Sequence, residues 1–141
     1  MILSKEYIAG FFDGEGCIGI YTNGSGRFHL RTQLTQNKTP ESAELVSYLK
    51  TKYGGNAASQ PSKNGKIKYN WQLNCQLAAT FLKDILPFLV LKKHQAELAI
   101  EWADKKPPIQ RDKRGRIMSQ SEKFKKYTIE VAKLLKQCKK D

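Results

Sequence analysis

Ile8-Ala9-Gly10-Phe11-Phe12-Asp13-Gly14-Glu15-Gly16 opens directly onto Cys17-Ile18-Gly19-Ile20-Tyr21. Ser4 stands at an N-cap position, and residues 5 to 13 read as a short helix that Gly14 and Gly16 break. Glycine inside a short helix costs up to about 1 kcal/mol relative to alanine. Gly10 and Gly14 lie four apart and so share one helical face, and the expected compensation is close approach of another backbone. Glu15 follows at the helix end, flanked by glycines and followed by basic strands. Glu97 and Glu101, by contrast, read as solvated helix acids.

Downstream of this stretch the period changes from helical to two. Residues 17 to 23 form a weakly alternating strand and Gly24 to Gly26 a turn. Residues 27 to 36 alternate strictly, with Arg27, His29, Arg31 and Gln33 on one face and Phe28, Leu30, Thr32 and Leu34 on the other. A three-residue loop predicts that Asn23 pairs with Arg27, Tyr21 with His29 and Gly19 with Arg31, leaving Ile18 and Ile20 inside. Thr39-Pro40-Glu41 starts a helix that Gly54-Gly55 ends. A strand over 56 to 63 then meets Asn64-Gly65, read as a two-residue hairpin pairing Lys63 with Lys66 and Ala58 with Trp71. In the strand over 66 to 75, Lys66, Lys68, Asn70, Gln72 and Asn74 oppose Ile67, Tyr69, Trp71, Leu73 and Cys75.

Helices over 77 to 86 and from Lys92 onward precede Pro107-Pro108 and a basic loop over 109 to 118. Ser119-Gln120-Ser121-Glu122 reads as a capping box for a last helix, with Phe124, Val131, Leu134, Leu135 and Cys138 as its apolar stripe. The order α-ββ-α-ββ-α-α-α predicts an α+β fold in which helices cover the apolar side of a four-stranded antiparallel sheet. The open side would carry Tyr21, Asn23, Arg27, His29, Arg31, Gln33, Lys63, Lys66, Lys68, Asn70 and Gln72. Arg and Lys suit guanine, Asn and Gln suit adenine, and all of them grip phosphates.

Composition narrows the class. The chain has 141 residues with a net charge of +12, and 40% of its residues are apolar, which suits one globular domain. Residues 16 to 40 and 45 to 83 contain no acid, so a polyanionic partner is expected. No apolar run approaches the roughly 18 to 20 residues of a membrane span, and no signal peptide is evident. Cys17, Cys75 and Cys138 are too far apart for a disulfide framework or a Cys-x-x-Cys zinc site, so a reducing compartment is expected. His29 and His94 do not suggest zinc either; His29 fits better as a base or phosphate contact.

The stretch written IAGFFDGEG resembles the LAGLIDADG signature of homing endonucleases, and the αββαββα order is that family's fold. The likeness covers roughly residues 4 to 104, within a single endonuclease domain over 1 to 141 that also includes the basic loop and C-terminal helix, 109 to 138. The resemblance implies a homodimer, since the chain carries one motif, with Gly10, Asp13 and Gly14 at the interface between two motif helices. It implies that Glu15 and the carbonyl of Gly14 bind a divalent cation, Mg2+ or another such as Mn2+, and that Asp13 is tied to the helix end. Gln36 matches a glutamine that orients solvent near the metal. Pro87-Phe88-Leu89-Val90-Leu91-Lys92 matches a segment that places Lys92 at a basic catalytic position. Lys38 stands where some relatives carry a further basic residue.

A phosphodiester needs its charge neutralised, a water activated and its leaving oxygen stabilised, and cations held by carboxylates can do all three. The implied activity is a double-strand break at a long, pseudo-palindromic DNA site. The implied setting is inside the cell, in the cytoplasm or a DNA-containing organelle, with an intron-encoded gene. Intron maturases share the family, so an RNA-splicing helper is one alternative and a non-cleaving DNA-binding protein is another.

Overall fold

The computed structural model describes residues 1–22 and 26–140, without the side chains of Lys139 and Lys140. The elements are α1 (Lys5–Glu15), β1 (Gly16–Thr22), β2 (Phe28–Asn37), α2 (Pro40–Tyr53), β3 (Asn56–Pro61), β4 (Ile67–Asn74), α3 (Cys75–Ile85), a 3-10 turn (Leu86–Phe88), α4 (Lys93–Lys105) and α5 (Glu122–Lys140). This is the α+β order read from the sequence. The four strands form one antiparallel sheet in the order β1-β2-β4-β3.

One core lies between the sheet and the helices. The Phe81 ring stands edge-on to Phe12, Tyr53 and Trp71, with centroids 5.3, 4.8 and 5.3 Å away, so α1, α2, β4 and α3 meet at one side chain. Burying a ring of this size contributes roughly 1.5–3 kcal/mol, and edge-to-face pairs add to that. Trp71 gives its indole N–H to the Gly54 carbonyl at 2.9 Å, so this buried donor is satisfied.

The first hairpin has the expected register. Tyr21 pairs with His29 and Gly19 with Arg31, while Ile18 is buried and Ile20 packs against the core. The expected pair of Asn23 with Arg27 and the three-residue turn lie outside the described residues. The second hairpin departs from expectation by one residue. Ala57 pairs with Trp71, Ala58 with Asn70 and Gln60 with Lys68, so Lys63-Asn64-Gly65 is a three-residue loop. Gly65 takes φ +75°, a left-handed conformation that glycine adopts without strain, and its N–H donates to the Ser62 carbonyl. Ser62 donates both its N–H and its hydroxyl to the Lys66 carbonyl at 2.9 and 2.7 Å, closing the strands one residue earlier than a two-residue turn would. The slip exchanges the faces of β3: Asn56, Ala58 and Gln60 join the open side, and Lys63 sits in the turn.

Two further expectations are corrected at the ends of helices. The cap of α5 is Ser121, whose hydroxyl accepts from the Phe124 N–H; the carbonyl oxygen of the Gln120 side chain instead accepts from the Phe28 N–H. The buried stripe of α5 is Phe124, Thr128, Val131 and Leu135, and Leu134 is exposed. Thr128 is inside because its hydroxyl accepts from the Trp102 indole and donates to the Phe124 carbonyl, both at 2.8 Å. Cys75 does not continue the apolar side of β4: it begins α3, exposed, with φ 55°.

Candidate functional site

The motif stretch folds as α1, extended two residues beyond the expected end so that Glu15 is its last residue. Ser4 caps it, accepting from the Tyr7 N–H at 3.1 Å. Ile8, Ala9, Phe12 and Asp13 face inward, and Gly10, Gly14 and Glu15 face out. A Cβ built on Gly10 or Gly14 would meet nothing within 4 Å, so nothing in this chain requires glycine there. Gly16 is the opposite case: a Cβ there would lie 2.3 Å from the buried Phe12 ring, so only glycine lets the chain turn from helix into strand over that ring.

Asp13 and Glu15 are two residues apart and have different surroundings. Asp13 is buried, and its carboxylate accepts from the backbone N–H groups of Val90 and Lys92 at 2.8 and 2.9 Å. It thereby pins the turn before α4 to the end of α1, and the Lys92 ammonium donates to the Asp13 carbonyl. Asp13 is therefore turned away from the open face, and of the three expected interface positions only Gly10 and Gly14 lie on it. Glu15 is exposed and has no hydrogen-bond or ion-pair partner among the described residues.

Gln36 is half-buried and pairs with Tyr69. The β1–β2 ladder ends at Gly16 with Leu34, so Gln36 stands two residues past it, at the end of the sheet where α1 terminates. Lys38 lies toward β3, its ammonium on the Ser59 hydroxyl at 2.9 Å and over the Tyr69 ring.

The open face of the sheet carries no acid in any of its four strands. Arg31 lies near its centre. Its Nε donates to the Asn74 side chain at 3.1 Å, and its guanidinium lies 4.9 Å from the centre of the Tyr21 ring. Gln33 pairs with Gln72, Thr35 with Asn70 and Asn37 with Lys68. His29 lies 3.6 Å from the Cys75 sulfur, and its pKa is held below the usual 6.5 by burial and by the charges of Lys106, Arg27 and Arg31. The neutral ring at pH 7 both donates and accepts, which suits contact with a base edge better than an ion pair with phosphate.

Several expected members of this face stand elsewhere. Asn23 is outside the described residues. Arg27 is buried, and its guanidinium donates to the Met118 carbonyl at 3.3 Å, beneath the segment that links α4 to α5. Lys63 belongs to the turn. Asn56, Gln60, Thr35, Asn37 and Asn74 are on the open side and were not singled out from the sequence. Asn74 was legible as the next polar step of β4, whereas Asn56 and Gln60 were hidden by the register slip.

The arrangement has known counterparts. The chain overlays on the homing endonuclease I-CvuI, solved in complex with DNA, with a TM-score of 0.68 at 17% identity, over 95% of this chain and 80% of that one. The homing endonuclease I-TnaI overlays with a TM-score of 0.53 at 18% identity, covering 74% of each chain. These likenesses are of fold. A curated relative, the intron-encoded RNA maturase bI4 of Saccharomyces cerevisiae, is 37% identical over 74 residues, and the match spans 51% of this chain and 11% of that protein. The family model described as LAGLIDADG endonuclease matches residues 8–89, from the motif helix through both hairpins to the turn that Asp13 pins. The chain belongs to the LAGLIDADG endonuclease family.

Proposed function

We propose that this chain is a site-specific DNA endonuclease that acts as a homodimer with a divalent cation. The observation that carries the reading is the exposed, unpartnered carboxylate of Glu15. It ends a helix whose outer face is bare at Gly10 and Gly14, beside an acid-free polar sheet. Val90 and Leu91, 78% and 75% exposed, stand next to that helix end and give a second copy apolar surface to cover. A twofold contact through α1 would bring two Glu15 residues together and join two sheets into one long surface.

The donor set fits magnesium in kind. The carboxylate of Glu15 and the carbonyl of Gly14 are hard oxygen ligands, and no cluster of three His, Cys, Asp or Glu occurs among the described residues to favour a softer ion. One chain supplies too few oxygens for six-coordination, so nucleic-acid phosphate, water and the acid of a second copy would complete the shell. The cation, when bound, supplies charge neutralisation at the phosphate and a more acidic water. The protein's own part is positional. Asp13 locks the helix end through Val90 and Lys92, the Lys92 ammonium adds positive charge two residues from Glu15, and Gln36 offers an amide to orient solvent. The sheet sets which phosphate reaches this end by gripping the bases on either side of it.

The name of the curated relative favours a second reading, an intron maturase, since a basic sheet suits RNA as well as DNA. Both readings place the work inside the cell, where the nucleic acid is. Incubation of the protein with a randomised duplex library and magnesium, followed by sequencing of the cut ends, separates them. The expected result is cutting at one long, partly palindromic site by the wild type, and binding without cutting by Glu15→Gln, which removes a ligand and also a negative charge near phosphates. Cutting by the variant at near wild-type rate would remove Glu15 from the reaction. Absence of duplex cutting, together with tight binding of a structured intron RNA, would favour the maturase.

A further inference from the structure

Residues 106–121 run from α4 back across the end of β2 and form a small turn of their own, in which Arg111 bridges to Ile117. Between this strap, Arg27 and the start of α5 lies a cavity of about 250 Å3, lined among others by Arg27, Gln110, Ser119, Gln120 and Ser121. Arg27 is only 9% exposed, and its one hydrogen bond among the described residues is to the neutral Met118 carbonyl. No carboxylate among the described residues pairs with it. A buried guanidinium without a counter-charge is costly unless something anionic joins it. Gln120 is 7% exposed; its oxygen accepts from the Phe28 N–H, and its amide nitrogen is buried without an acceptor.

The third donor group stands at the start of α5, a helix of 19 residues. Of that end Ser121 lines the cavity: its hydroxyl accepts from the Phe124 N–H and keeps its own hydrogen to donate. Glu122, the acid nearest this end, is turned out to solvent beside Lys125 and does not line the cavity. A cation without a counter-charge among the described residues, an amide N–H without an acceptor and the hydroxyl of the capping serine thus meet at one small space. The volume falls below the roughly 300–1,000 Å3 of organic-ligand sites, so it suits a single tetrahedral group rather than a nucleotide.

We infer that this cavity is a phosphate-oxyanion site, held by Arg27, Gln120 and Ser121 at the start of α5. Arg27 precedes β2 on the parity of His29 and Arg31, so the strap closes over the end of the open sheet face. A nucleic-acid backbone crossing that face reaches the cavity with a phosphodiester, and inorganic phosphate offers the same chemistry. The backbone assignment rests on the nucleic-acid reading above; the oxyanion site does not.

The test follows the Arg27 Nε and Gln120 amide signals by NMR while inorganic phosphate, and separately a duplex carrying the cut site, are added in a phosphate-free buffer. Both signals are expected to shift in the wild type, and the Arg27 signal, the one that remains in Gln120→Glu, is expected to stay put there. That variant keeps an oxygen for the Phe28 N–H and places a carboxylate beside Arg27, so it should bind no phosphate while melting at an unchanged or higher temperature. Arg27→Gln should lower the slope of log affinity for duplex against log salt by about 0.9 per chain, the value of one lost phosphate contact. Shifts with phosphate but an unchanged slope in Arg27→Gln support the oxyanion site and assign it to the free anion. Shifts with phosphate in a protein that binds no duplex uphold the site and sink the DNA reading. A duplex that binds and is cut, with neither probe moving the two signals, overturns the site alone, as does phosphate binding that survives Gln120→Glu.

Discussion

Arg31 is held on the open sheet in the way the proposed reading of bases requires. Asn74 takes its Nε–H and the Tyr21 ring lies against its plane, so one orientation of the guanidinium is favoured before any partner arrives. The two terminal nitrogens then remain for a bidentate contact to guanine. Arg31→Ala is expected to cost roughly 1 to 3 kcal/mol per half-site and to relax preference at one base pair in each. Competition between matched and scrambled duplexes measures this, and an equal loss on both would make Arg31 a phosphate contact only. His29 gives a pH signature. Its folded midpoint lies below 6.5, so between that midpoint and 6.5 the unfolded chain binds more protons than the folded one. Its contribution to stability therefore rises with pH across that interval and is flat above it. An NMR titration should find the midpoint below 6.5, and Lys106→Ala should raise it more than Arg31→Ala does, following the order of the two charges.

At the scale of the element, α1 carries glycines of two kinds. Gly16→Ala forces a methyl group into the Phe12 ring, and Phe12 is fully buried among Ile8, Phe81 and Leu82, so it has no room to yield. The expected cost is about 1–3 kcal/mol of overpacking, read from urea unfolding, with the association state unchanged. At Gly14 a Cβ meets no described atom within 4 Å and leucine is the better helix former, so the monomer should be no less stable in Gly14→Leu. If two copies of α1 pack face to face, the same substitution should dissociate the dimer and abolish cutting together. Sedimentation at micromolar concentration decides it: a Gly14→Leu protein that stays dimeric and active would refute the proposed interface.

At the scale of the whole molecule, the proposed function divides the cations between a face that would discriminate and a strap that would grip. The sheet holds Arg31, Gln33, Asn70 and Gln72 in cross-strand register, whereas Lys113 and Arg114 stand exposed on the turn of the strap with no acidic partner among the described residues. Replacing both by Ala is expected to weaken matched and scrambled DNA equally and to flatten the salt dependence of binding, measured as the slope of log affinity against log salt. A loss confined to the matched site would make the strap a reader of sequence. The strap and α5 are held to the rest by the Trp102–Thr128 hydrogen bond, the Phe124 ring stacked on Trp102, and the two contacts of Arg27 and Phe28.

The sequence by itself determined the element order, the first hairpin's register and the motif helix, because these depend on local signals. Ser4 and Thr39 cap where they stand, glycines end helices, and strict alternation over 27 to 36 can bury only one face. It also placed Glu15 at the end of the motif helix and Arg31 on the polar face of its strand, because helical and strand periodicity are local. Tertiary structure decided the rest. Whether Asn64-Gly65 sits in a two- or three-residue loop depends on Ser62 reaching the Lys66 carbonyl and on which alanine meets Trp71, and that one-residue choice exchanged Asn56 and Gln60 for Lys63. Whether Arg27 faces solvent depends on a segment some 90 residues away folding across it. Thr128 looked polar on the last helix until the Trp102 indole supplied its partner. In each case the deciding interaction joins groups far apart in sequence, and nothing in the local pattern encodes it.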